Sequence, residues 1–127
     1  MNYLFIIDPP EKLNFKKDTS IFLMKTFLKN KMEVFYTTQK NISLKTNGSI
    51  TVNVSRINSI NENLIASDKE SKSLSFFKKI FIRLDPPFNE DYLNLTYLLN
   101  HRRDRDEKII NSAEGIRNFN EKLSILQ

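Results

Sequence analysis

Cysteine is absent from the 127 residues, which excludes disulfides, thiolate metal ligands and a cysteine nucleophile and agrees with a reducing compartment. Glycine is nearly absent. With Gly48 and Gly115 alone, the sequence contains neither a G-x-x-x-x-G-K-[ST] loop nor a G-x-G-x-x-G fingerprint, so the usual backbone cradles for nucleotide phosphates are excluded. Histidine occurs once, as His101 within the charge run HRRDRDEK (101–108), and reads as a solvated side chain rather than a catalyst or metal ligand. No serine stands in a G-x-S-x-G context, which leaves a hydrolase triad unsupported. No apolar run approaches the ~20 residues of a bilayer span, and MNYLFIID reaches an acidic residue before a signal-peptide core develops. A soluble, cytoplasmic protein is expected.

The length suits one domain with a real core. A net charge of +5 raises the question of nucleic acid, but the cations are scattered and no recognition motif accompanies them. Abundant Lys, Asn and Ile, all with A/T-rich codons, account for the basicity equally well. Neither nucleic acid nor membrane is expected as a partner.

Residues 3–7 form a continuous apolar run, the pattern of a strand covered on both faces. Asp18, Thr19 and Ser20 then offer N-cap oxygens to a helix over 19–30, with Ile21, Met24 and Leu28 on one face. MEVFYTT reads as a second strand, completing a βαβ unit with parallel strands. In NISLKTNGSITVNVSR, Ile42 and Leu44 alternate with polar residues, Asn47-Gly48 supplies a type I′ turn, and Ile50, Val52 and Val54 alternate back as a hairpin. The sequence turns polar over 57–72, and SDKESKS (67–73) reads as an exposed, poorly ordered loop. FFKKIFIRL restores a strand, residues 89–100 a helix, and KII a short last strand; Ser112 could cap a final helix or turn. The chain stops without a clear terminator, the pattern of a fragment.

Two strands stop alike, at LFIIDPP and IRLDPP, because proline lacks the ladder N–H and biases the preceding residue away from helix. If these strands are parallel neighbours, Asp8 and Asp85 emerge at one carboxyl edge, where ligands of open α/β sheets bind. Arg83 then offers a guanidinium fork suited to a carboxylate or phosphate. A structural role stays open beside this one, with Asp85 capping the next turn and Arg83 paired to it or to Asp8. Glu90 and Asp91 read as ordinary first-turn carboxylates.

The segments DPPEKLNFKKDTS, RLDPPFNEDYLNLTYLL and INSAEGIRNFNEKL resemble, in order and spacing, the N-terminal domain of bacterial glutathione synthetases, the first part of an ATP-grasp ligase. The resemblance runs essentially end to end. It implies a pre-ATP-grasp α/β fold: a Rossmann-like open, mostly parallel sheet flanked by helices, with an inserted β-hairpin. It implies an enzyme that joins γ-glutamylcysteine to glycine with ATP and Mg2+ through an acyl phosphate, in a homo-oligomer. Its R-x-D-P-P arginine corresponds to Arg83, facing the dipeptide with Asp85, and its N-E-K lysine to Lys122, at the nucleotide. Asp8 and Asp18 take positioning roles. Leu84 stands where the family usually has Lys or Gln, and Ala113 where it usually has proline.

The resemblance divides the chain into a substrate domain over 1–111 and the start of a connection over 112–127. In the family the glycine-rich phosphate loop and the magnesium carboxylates lie beyond this stretch, so no catalytic or metal-binding residue is assigned and the chain alone is expected to be inactive. The other readings are a stand-alone module for a small anion or a partner, another ATP-grasp ligase, and a nucleic-acid binder.

Overall fold

A computed structural model describes residues 2–43, 46 and 49–84 and the backbone of Leu44 and of Ile109–Ile110. The expected helix over 89–100, the last helix or turn near Ser112, Asp85, His101, Ala113 and Lys122 lie outside the described residues.

Strand β1 (Asn2–Ile7) pairs in parallel with β2 (Glu33–Thr37) on one side and β7 (Lys79–Arg83) on the other. Beyond β7 the short strand β8 (Ile109–Ile110) adds a further parallel pair, as expected of KII. Every β1 side chain from Tyr3 to Ile7 is buried, since alternate residues point to opposite faces of the sheet and both faces are covered. On one face Tyr3, Phe5, Ile7 and Phe81 pack against Ile21, Met24 and Phe27. On the other, Leu4, Ile6, Phe35, Ile80 and Ile82 pack with Ile50, Val52, Val54, Leu74 and Phe77. Phe5 stacks on Phe81 with centroids 4.7 Å apart, and Phe27 lies 5.7 Å from Phe81.

Helix α1 (Thr19–Lys29) follows its sequence signals closely. Asp18 is the N-cap, its carboxylate accepting from the Ser20 and Ile21 amides. At the other end the Lys31 and Met32 amides return to the Leu28 and Phe27 carbonyls, which puts Lys31 at φ 62. This is a Schellman closure with lysine where glycine is favoured.

The sheet is mixed rather than mostly parallel. Strands β3 (Ile42–Leu44), β5 (Leu64–Ala66) and β6 (Glu70–Ser73) all run antiparallel to the long β4 (Ile50–Ile60), and β4 runs antiparallel to β2. The connections from β3 to β4 and from β4 to β5 are too short for a crossover, so antiparallel pairing follows. Val52 pairs with both Ile42 and Lys72, which places β3 and β6 on opposite edges of β4.

Two expectations are thereby corrected. The polar stretch 57–72, with SDKESKS, is not one loop: β4 continues to Ile60 and β5 and β6 pair along it. Its residues are polar because Glu70, Ser71 and Ser73 are exposed while their backbone completes the sheet. The hairpin itself is present, but Leu44 faces Ile50, one residue off the Leu44–Thr51 pairing that a simple two-residue turn at Asn47-Gly48 would give. Asn47 and Gly48 lie outside the described residues.

Candidate functional site

The two strand ends stand side by side. Ile7, last in β1, pairs with Arg83, last in β7, so Asp8 and Arg83 share the carboxyl edge as expected. After Asp8, Pro9 and Pro10 lead into a 3₁₀ turn over Pro10–Lys12 closed by the Lys12 amide on the Pro9 carbonyl at 2.9 Å. Asn14 then accepts from the Lys17 and Asp18 amides through its carbonyl, which turns the chain into α1.

That turn brings the first turn of α1 to the same edge. Asp18 Oδ1 accepts from the Ser20 amide at 2.8 Å and from the Ile21 amide at 3.2 Å. Ser20 is buried, and its Oγ accepts a hydrogen bond of 3.2 Å from Nε of the partly buried Arg83. Arg83 is therefore held by a neutral hydroxyl, and its two terminal nitrogens have no partner among the described residues. A guanidinium anchored through Nε keeps its outer edge for a bidentate carboxylate. The amides at the helix start are already taken by Asp18, so attraction for an anion here rests on Arg83.

Beside Asp8, a cavity of about 250 Å³ is lined by Ile7, Lys12, Thr38, Gln39 and Lys40 as well. Gln39 Oε1 is buried there with no partner among the described residues. A carbonyl oxygen in that position suits an N–H donor.

Of the residues expected at the site, Arg83, Asp8 and Asp18 come together at one edge, while Asp85 and Lys122 lie outside the described residues. Two contributors escaped the sequence. Ser20 was visible only as one of three cap candidates, and its approach to Arg83 spans 63 residues. Gln39 follows the end of β2, and a parallel β1–β2 pair necessarily carries it to the Asp8 edge.

The architecture defines an α/β domain with an arginine-bearing carboxyl edge. The family described as prokaryotic glutathione synthetase, N-terminal domain, matches residues 1–117. The chain belongs to that family. A glutathione synthetase of Neisseria meningitidis serogroup A is 33% identical over 99% of this chain and 42% of its own length. Another, from Prochlorococcus marinus, is 34% identical over 100% of this chain and 41% of its own length. The chain spans about two-fifths of the length of the curated relatives it matches.

Proposed function

We propose that this chain contributes the γ-glutamylcysteine side of the site at which a glutathione synthetase ligates that dipeptide to glycine. Family membership and the anchored Arg83 carry the reading. Arg83 binds a substrate carboxylate through its outer nitrogens, and Ser20, fixed by the Asp18 cap, orients the guanidinium. Asp8 and Asp85 share the substrate-binding role, and Lys122 serves the nucleotide. None of these groups transfers a proton in this reading; each binds or orients. The fold belongs to the pre-ATP-grasp class, and the whole enzyme works in the cytoplasm as a homo-oligomer.

ATP and Mg2+ supply, in the whole enzyme, the activation of the dipeptide carboxylate for attack by the glycine amine. No grouping of three or more Asp, Glu, His or Cys among the described residues could hold a metal ion. Asp18, the N-cap carboxylate two residues before Ser20, is engaged with helix amides. Magnesium therefore has no fitting donor set among the described residues.

The test is calorimetric titration of the chain with γ-glutamylcysteine. Arg83→Ala should weaken binding roughly ten- to hundredfold, the scale of hydrogen bonds to charged groups. Unchanged affinity in that variant would remove Arg83 from the site.

A further inference from the structure

Among the described residues, the buried side-chain polar atom that lacks a hydrogen-bond partner is Gln39 Oε1. Burying a carbonyl oxygen without a partner is costly, so a group of this kind is normally met by water or a ligand. Gln39 borders the cavity of about 250 Å³ that Asp8 also lines. The last side-chain torsion of glutamine is soft, so a turn of the amide presents Oε1 to an N–H entering that cavity.

Strand register fixes where this acceptor stands. Ile6 pairs with Thr37, so Gln39, two residues past Thr37, comes level with Asp8, two residues past Ile6. On the other side of β1, Ile7 pairs with Arg83. Three neighbouring strand ends thus present a neutral acceptor, a carboxylate and a guanidinium in that spatial order. Strands β2 and β7 lie two spacings apart across β1, on the order of 10 Å. An extended dipeptide spans ~7 Å, and a γ-linkage inserts two more chain atoms, which brings its ends to a similar separation.

We propose, resting on the γ-glutamylcysteine reading of the Arg83 edge, that the Gln39 cavity receives the α-ammonium of the γ-glutamyl group while Arg83 holds the carboxylate at the cysteine end. The ammonium donates to Gln39 Oε1 beside the Asp8 carboxylate, and the neighbouring α-carboxylate lies toward Lys12 and Lys40, which line the same cavity. Exposed lysines alone would draw any anion. The acceptor at Gln39 is what selects a ligand with an N–H donor.

The experiment is calorimetric titration of the 127-residue chain with γ-glutamylcysteine and with N-glutarylcysteine, the same molecule with hydrogen in place of the ammonium. The wild type should bind γ-glutamylcysteine about ten- to hundredfold more tightly, the scale of a hydrogen bond to a charged group. Gln39→Leu, which removes the acceptor, should cut that preference about fivefold or more and leave N-glutarylcysteine affinity unchanged. Gln39→Glu, which keeps an acceptor, should retain the preference. Arg83→Ala should weaken both ligands alike. Because the oxygen is already unsatisfied in the free chain, Gln39→Leu should keep the wild-type urea midpoint, which separates a lost contact from a lost fold. Equal affinity of the wild type for the two ligands, or a Gln39→Leu variant that keeps the full preference, overturns the Gln39 assignment and leaves the Arg83 reading standing. No binding of either ligand by the folded wild type overturns both.

Discussion

Asp18 joins stability to function through two bonds. Its carboxylate satisfies two helix amides, and the residue it fixes, Ser20, holds Arg83. Asp18→Ala should lower stability by about 1 kcal/mol, the usual worth of an N-cap, read as a lower urea midpoint at unchanged m. Asp18→Asn, which keeps an acceptor, should recover most of it. Lys31 offers the opposite change, because a side chain at φ 62 strains a position that glycine occupies freely. Lys31→Gly should stabilise the chain by roughly 0.5–1 kcal/mol in the same denaturation; a loss instead would mean that the lysine side chain contributes more than the backbone conformation costs. Tyr3 is a third case, since burial raises its phenol above 10.0. The unfolded chain then loses that proton first, so the contribution is complete below about pH 10 and is lost as pH rises from there through the higher folded value. Denaturation series between pH 9 and 11.5 should show a shallower alkaline decline in Tyr3→Phe than in the wild type.

The central elements answer to local pattern. The unbroken apolar run of β1, the cap of α1 and the alternation in β3 and β4 are each set by neighbours within a few residues, and each was legible. Strands β5 and β6 were not: β5 is three residues long with Ile65 exposed between half-buried Leu64 and Ala66, the exposed side chains of β6 carry no apolar period, and it is pairing with the β4 backbone that makes both strands. Phe27 shows where α1 and the sheet depend on each other: it is fully buried against Tyr3, Phe5 and Phe81. Phe27→Ala should cost about 3–5 kcal/mol, a large fraction of a small domain's stability, and a loss under 1 kcal/mol would contradict the packing described.

Among the described residues, cohesion is greatest where β1 sits between two parallel partners and two buried faces. Amide exchange should accordingly be slowest at Leu4 to Ile6 and much faster in β6, whose Glu70, Ser71 and Ser73 are exposed; equal protection would refute this gradient. The sequence by itself determined where the strands stop and what stands at the stops. Asp-Pro-Pro acts through φ and a missing donor, and apolar runs through burial, both local effects. Only the tertiary structure decided that the Asp8 and Arg83 stops adjoin a helix start, that Ser20 rather than a carboxylate holds Arg83, and that Gln39 borders a cavity beside Asp8. Those outcomes depend on pairing register and on which edges of β4 are filled, and register is fixed by contacts between distant segments that no short stretch encodes.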